Sequence, residues 1–283
     1  MISLPPLADA VAQPQLGVTG LFVVVLLALL GLSLRGYARL ARRTGEGNLW
    51  LAPFGVPDVL MAGVLGLWLC IASLPAYFRS VPRSLPVTDQ MLVQNALFLG
   101  VIILGVLGFL QWRRISFVPL FGLDRMPWLR AVGLGLRYVA MGYPLIFTAN
   151  LVMSLLLGGG GEQQEILTFF QQAAMDANYR SLLLAGAAGV IVAPLTEEFL
   201  FRGYLYGTLR RYLNAPVAIA VNAALFALIH GNIVALPALF VLAVCLCIAY
   251  EVTGSLWVPI TMHLVFNFVT LAVLYLTIIS GIP

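Results

Sequence analysis

Long hydrophobic runs, separated by short polar segments, dominate the pattern of this chain. A helix needs about 20 residues to cross the hydrocarbon core of a bilayer, and eight runs approach or exceed that length, the sixth and seventh being short. The predicted spans are residues 17–34, 58–77, 91–112, 131–157, 181–201, 215–230, 234–252 and 257–280. The pattern therefore predicts an all-α, polytopic integral membrane helical bundle of about eight transmembrane helices.

Composition excludes a soluble globular domain. Hydrophobic residues make up 61% of the chain and charged residues only 9%, and the mean hydropathy is +1.01. The net charge of +4 comes from arginines placed between the spans, so it gives no reason to expect nucleic-acid binding. The lipid bilayer is the expected environment, and we expect the bacterial plasma membrane. The sequence does not define an oligomeric state.

The arginines alternate along the chain in a way that predicts topology, because short cytoplasmic loops are rich in Lys and Arg. They follow the first span (Arg35, Arg39, Arg42, Arg43), the third (Arg113, Arg114, Arg125, Arg130) and the fifth (Arg202, Arg210, Arg211). The opposite loops carry Arg79, Arg83 and Arg180 with Glu162, Glu165 and Asp176. Eight spans with both termini outside satisfy this pattern.

That topology places Glu197 and Glu198 near the cytoplasmic end of the fifth helix. A sixth span that ended at His230 would put this histidine on the far face of the membrane. Two alternatives remain open: the sixth helix continues past Gly231, with His230 at mid-depth, or part of the segment is re-entrant.

A glycine run and a polar stretch divide the chain into two halves. We predict that residues 1–157 form an N-terminal transmembrane scaffold and that residues 158–180 form a non-cytoplasmic loop. Residues 181–280 contain most ionisable groups that lie within hydrophobic sequence, and they are predicted to be the catalytic module.

The candidate chemistry begins in the fifth span. A charged group at bilayer depth costs about 2.5 to 3.5 kcal/mol on insertion scales, so such groups usually face a bundle interior or a watery cavity. Glu198 and Arg202 are four residues apart and share a helix face, so they are predicted to pair, while Glu197 is turned about 100° away. The arginine leaves Glu197 as the carboxylate that is suited to act as a general base. Taken alone, the cluster is equally well explained as charges in the head-group region.

The two histidines of the chain lie in the sixth and eighth spans. Phe226 and His230 are one turn apart, as are His263 and Asn267, so each pair projects from one helix face. A single membrane histidine is more often a packing residue than a catalyst. Two histidines, an asparagine and a glutamate pair together favour a polar functional site.

These residues resemble the motifs of the CPBP family of glutamate intramembrane proteases, which includes type II CAAX prenyl endopeptidases and bacteriocin-processing relatives. The family's motifs match Glu197, Glu198 and Arg202, then Phe226 and His230, then His263 and Asn267. The resemblance covers residues 182–276.

The resemblance implies an endopeptidase acting on a membrane-associated or lipidated peptide or protein. In that case Glu197, with His230, activates a water molecule, and His263 and Asn267 stabilise the oxyanion. Glu198 and Arg202 would hold the groups of their helix in place, with Phe226 as a further supporting residue. No cofactor is expected.

Three alternatives to this reading remain. Glutamates and histidines also ligate zinc, but the chain has no His-Glu-x-x-His motif and only two histidines, so no metal site is expected. The second alternative is a non-catalytic binding or bacteriocin-immunity-type protein that uses the same fold to hold a peptide. The third is a proton-coupled carrier that uses Glu and His as a relay.

Overall fold

The computed structural model describes residues 7–78, 87–158 and 165–280, with side chains from residue 20 onward and not at residue 165. The helices are α1 Leu7–Ala41, α2 Val56–Phe78, α3 Asp89–Trp112, α4 Phe117–Leu120, α5 Trp128–Leu156, α6 Glu165–Met175, α7 Tyr179–Tyr212, α8 Ala215–Ile229, α9 Leu236–Thr253 and α10 Trp257–Ser280. Arg79, Arg83 and Glu162, which the topology argument used, lie outside the described residues, as does the Glu165 side chain.

The predicted all-α membrane bundle is confirmed. Within the described part of the chain, seven helices are long and apolar enough to cross a membrane, and α8 is a shorter apolar helix of 15 residues. The buried centre is α9, which packs against α1, α5, α8 and α10. The α2 and α3 helices lie at the periphery and present mostly exposed apolar side chains.

The fifth spanning helix, α7, is much longer than predicted. It has 34 residues and continues to Tyr212, so the prediction that Arg202, Arg210 and Arg211 belong to a loop is wrong. Arg202 and Arg210 stay inside the bundle because each pairs with a buried glutamate. The prediction that the glutamate pair lies near the end of this helix is wrong as well, because the pair lies at its middle.

The sixth apolar helix, α8, ends at Ile229, and His230 occupies its C-cap. Gly231 follows with φ 61°, a left-handed conformation that terminates helices and favours glycine. The alternative in which this helix continues past Gly231 is therefore wrong. Glu197 and His230 each lie about four helical turns from the short α7–α8 connection, so the antiparallel helices bring both to the same level.

At one end of the bundle, the buried carboxylate of Glu251 accepts hydrogen bonds from several other segments. Glu251, near the end of α9, accepts hydrogen bonds from the Tyr206 hydroxyl at 2.8 Å and from Arg210 Nε at 2.6 Å. Its other oxygen accepts from the backbone amide of Gly45 at 3.0 Å. Arg113 forms an ion pair with Asp58 between α2 and α3 at the same end. Groups near the C-terminal ends of α1, α3 and α7 thus lie at one end of the bundle.

Candidate active site

Two π-helical segments of α7 flank the glutamates. They are Ala187–Val192 and Phe199–Tyr206, and the α-helical segment between them, Ala193–Glu198, carries Glu197 and Glu198. A π-helical turn changes the direction in which later side chains project, and such turns are frequent at functional sites. The exact orientation of the two carboxylates is therefore set by irregular helix geometry that a 3.6-residue period does not describe.

The predicted ion pair between Glu198 and Arg202 is present and fully buried. Arg202 Nη1 donates to Glu198 Oε1 at 2.8 Å, and both side chains have no exposed surface. The same carboxylate oxygen lies 2.8 Å from His263 Nδ1 on α10. Because a carboxylate only accepts hydrogen bonds, Nδ1 of His263 carries a proton, and the ion pair fixes the orientation of the imidazole.

Glu197 lies on the other side of the same imidazole. Its Oε2 atom is 3.9 Å from His263 Nε2, and its side chain is 19% exposed, unlike that of Glu198. Both glutamates therefore converge on His263, although their helix positions are about 100° apart in a regular α-helix. The sequence analysis predicted that Glu197 is turned away from the face of Glu198, but it did not predict that His263, more than 60 residues further along the chain, contacts both.

Phe226 supports the cluster from α8. The guanidinium carbon of Arg202 lies 4.3 Å from the centre of its ring, a cation–π arrangement that gains strength when desolvated. The ring centre also lies 4.7 Å from that of His230 and 5.8 Å from that of His263. The phenylalanine thus packs between the two imidazoles and the buried cation.

His230 and Glu197 line one cavity of about 230 Å³. The Nδ1 atom of His230 lies 2.7 Å from the carbonyl oxygen of Phe226, so this nitrogen donates and Nε2 remains for other partners. The cavity walls are mainly Leu and Ile side chains from α2, α3, α7 and α8. A polar pair at the edge of an apolar cavity is a typical arrangement for a ligand or substrate site.

Asn267 contacts the first π-helical segment instead of the cavity. Its Nδ2 atom donates to the carbonyl oxygen of Gly189 at 2.7 Å. Asn267 lies on α10, as His263 does, and the structure brings it close to α7. One hydrogen of its amide is engaged by the backbone of α7.

Asn222, which the sequence analysis did not single out, plays the corresponding part at the second π-helical segment. It is fully buried, its Nδ2 atom donates to the carbonyl of Phe201 at 3.0 Å, and its Oδ1 atom accepts from Cys247 Sγ at 3.4 Å. The sequence feature that could have identified Asn222 is its polar amide within an apolar helix, four residues before Phe226. Each π-helical segment that flanks the glutamates is thus tied to an asparagine of another helix.

We expect Asn222→Leu to lower the free energy of unfolding by about 1 to 3 kcal/mol, because it leaves a buried carbonyl without its donor. Hydrogen exchange in residues 199–206 should accelerate in this variant. Thermal unfolding in detergent micelles and exchange mass spectrometry measure the two effects. The control is Val221→Ala, at an exposed neighbour on the same helix, and equal behaviour of the two variants would contradict the role of Asn222.

The fold and site define an integral membrane protein with a polar, partly buried cluster beside a cavity between its helices. Residues 179–269 match the family model described as type II CAAX prenyl endopeptidase Rce1-like. All seven residues singled out in the motifs, from Glu197 to Asn267, lie within this match. No solved structure matches significantly.

Two curated relatives match over similar lengths. A stretch of 83 residues is 34% identical to "Membrane-embedded CAAX protease MroQ" of Staphylococcus aureus (strain USA300), covering 27% of this chain and 34% of that protein. A stretch of 77 residues is 30% identical to "Putative membrane peptidase YdiL" of Bacillus subtilis (strain 168), covering 27% of this chain and 32% of that protein. The matches thus span about a third of each relative's length. Together with the family match, they support the assignment of this segment to the CPBP/CAAX protease family.

Proposed function

We propose that this protein is an intramembrane endopeptidase that hydrolyses a peptide bond of a membrane-associated or lipidated peptide or protein. The observation that carries the proposal is the cavity that contains both Glu197 and His230, with Glu197 also next to His263. The family assignment and the two bacterial relatives support it. In this proposal residues 181–280 are the catalytic module and residues 1–157 the scaffold.

In the proposed reaction Glu197 is the general base. It accepts a proton from a water molecule while the water oxygen attacks the carbonyl carbon of the substrate, and the same proton then passes to the departing amide nitrogen. His230 lines the same cavity and is the second group that assists proton transfer. A glutamate suits this role because its side chain is partly exposed to the cavity, whereas Glu198 is enclosed.

The remaining residues stabilise the oxyanion and hold the base in place. His263 is oriented by Glu198 and, in its doubly protonated form, donates from Nε2 to the developing negative charge. Preorganised donors of this kind are worth about 3 to 4 kcal/mol each. Asn267 holds the first π-helical segment through Gly189. Its second amide hydrogen completes the donor set for the oxyanion.

We also propose that the site lies in the cytoplasmic half of a bacterial plasma membrane. Trp50, Trp112, Trp128 and Trp257 are exposed at the arginine-rich end of the bundle, and tryptophan is enriched at membrane interfaces, as arginine is in cytoplasmic loops. His263 lies six residues after Trp257 on α10, which is about 9 Å deeper in the membrane.

The experiment that tests the proposal maps peptide termini by mass spectrometry in the host's own membranes. Cells that carry the wild-type protein are compared with cells that carry Glu197→Gln at matched abundance. We expect new termini that depend on Glu197 and lie near the cytoplasmic ends of apolar segments in the substrates. The control is Glu46→Gln, the same chemical change at a loop residue whose side chain is 46% exposed.

Identical terminal profiles for the wild-type protein and Glu197→Gln would contradict proteolysis. Binding of a peptide without cleavage would then favour the non-catalytic alternative on the same fold.

The proposed mechanism needs no metal ion. Glu197, Glu198 and His263 lie close together, but within the described residues no group of three or more His, Cys, Asp or Glu has an arrangement that could hold a metal. We expect a strong chelator to leave the cleavage rate within about twofold of the untreated protein, since Glu197 and not a metal-bound hydroxide activates the water.

Purified protein in lipid nanodiscs, assayed with and without the chelator and subjected to elemental analysis, provides the measurement. Loss of activity in the chelator, restored by added zinc, would establish the metal-dependent alternative.

A further inference from the structure

The cavity beside the proposed active site contains a polar side chain that the motifs do not include. Its polar lining consists of Asn95, Thr196, Glu197 and His230. Asn95 lies on α3, outside the matched segment 179–269. It therefore joins the peripheral α2–α3 pair of helices to the proposed site.

Helical spacing shows that Asn95 belongs to the cavity face of α3. The other residues of this helix that line the cavity are Leu99, Ile102 and Ile103, four, seven and eight positions further along. Positions with these spacings share one face of a helix. Gln94 is turned about 100° away from this face and is absent from the lining.

The other polar groups of the cavity already have partners within the protein. The Thr196 hydroxyl donates to the carbonyls of Val192 and Ala193, at 2.8 and 2.9 Å. His230 is engaged through Nδ1 with the carbonyl of Phe226, and Glu197 lies against His263. The amide of Asn95 makes no side-chain hydrogen bond to any described residue.

The Asn95 side chain is exposed and lines the cavity, so its amide is accessible to a group that occupies the cavity. Polar residues in membrane helices usually face cavities and mark sites of function. A group that pairs with Asn95 must itself offer hydrogen bonds while it lies against the apolar residues of the lining.

An extended peptide segment with apolar side chains has this chemistry. Its side chains suit the Leu, Ile and Phe walls, and its backbone N–H and C=O groups require partners wherever water is excluded. A primary amide offers both a carbonyl acceptor and two N–H donors, so one asparagine can pair with the N–H and the C=O of a single substrate residue.

We propose that Asn95 binds the backbone of the substrate beside the scissile bond, and that the substrate enters the cavity as an extended segment with apolar side chains. The inference rests on the proposed peptidase function. It makes α3 part of the substrate-binding surface, and it makes Asn95 a specificity-determining residue that acts on binding and not on proton transfer.

The test uses an internally quenched peptide that carries a cleavage sequence identified by the terminal mapping. The peptide is made with amide bonds throughout and as a series in which one backbone amide near the scissile bond is replaced by an ester. An ester lacks the N–H donor and has a weaker acceptor. The wild-type protein, Asn95→Leu and the control Gln94→Leu are assayed in lipid nanodiscs.

We expect Asn95→Leu to raise KM about 10-fold, as loss of one or two hydrogen bonds predicts, with kcat within about twofold of wild type. One ester position should cause a similar loss in the wild-type protein and no further loss in Asn95→Leu, because both changes remove the same contact. Gln94→Leu should behave as wild type. Asn95→Asp, which keeps the acceptor and loses the donors, provides a second variant if Asn95→Leu does not fold.

Wild-type cleavage with an unchanged KM in the folded Asn95 variants would overturn this inference alone. Losses that add for every ester position would also overturn it. Failure of the wild-type protein to cleave the all-amide peptide would contradict the proposed function, and this inference with it.

Discussion

Glu197→Gln is expected to lower kcat for peptide cleavage by about 10²- to 10⁴-fold, the range that a positioned general base contributes. KM should change little, because glutamine has nearly the same shape and the cavity wall stays intact. A fall in kcat without a rise in KM is the result expected when an interaction of the transition state is removed. Steady-state cleavage of a quenched peptide by protein in nanodiscs provides both constants.

Two further variants separate this role from a structural one. Glu197→Asp keeps the charge but draws the carboxylate back by one methylene, so it should retain more activity than Glu197→Gln. Glu46→Gln should leave both constants unchanged, since this residue lies in an exposed loop, where it pairs with Arg43. A folded Glu197→Gln protein that retains more than half of the wild-type kcat would exclude Glu197 as the base.

Arg202→Met is expected to lower the free energy of unfolding by about 3 to 5 kcal/mol, the usual cost of removing one partner of a buried ion pair. Arg202 and Glu198 have no exposed surface, so the remaining carboxylate would lose its guanidinium partner without gaining water. The variant also loses the contact between the guanidinium and the Phe226 ring. Equilibrium unfolding in mixed detergent micelles measures the effect, and cleavage activity should fall because Glu198 orients His263.

The double variant Glu198→Gln, Arg202→Met is the matched control. It removes both charges, and replacing a buried pair by neutral groups costs far less than breaking it. We expect the double variant to be more stable than Arg202→Met alone, which is a positive coupling between the two positions. Equal stability of the two variants would show that the ion pair between Glu198 and Arg202 does not stabilise this segment of α7.

The α2 and α3 helices form one side of the cavity at the proposed site. These helices carry little buried surface compared with α9, yet they supply Asn95 and much of the apolar lining of the cavity. Regions with few buried contacts move most easily in folded proteins. If the proposed function is correct, substrate access and substrate choice depend on this peripheral pair as much as on the motif residues.

The sequence alone determined the class of the protein and the local pairs. Apolar runs of membrane-spanning length define an all-α bundle because an apolar helix satisfies its backbone within itself and buries its side chains in lipid. Glu198 and Arg202 were predicted to pair because positions four apart meet on a helix. Phe226 with His230, and His263 with Asn267, follow from the same spacing, and these pairs carry the family resemblance.

Tertiary structure decided which of these groups meet and where the helices end. The last turns of α7 carry Arg210, which pairs with Glu251 of α9, so this basic residue lies against the bundle and not in a loop. Several contacts join residues that are far apart in the chain. Glu197 and Glu198 approach opposite sides of His263. Asn222 and Asn267 bind the backbone of the two π-helical segments. Helix periodicity describes neighbours within about two turns of the same helix. Packing between helices selects the partners that complete a site. The contacts between helices and the end of α7 therefore could not be predicted from the sequence.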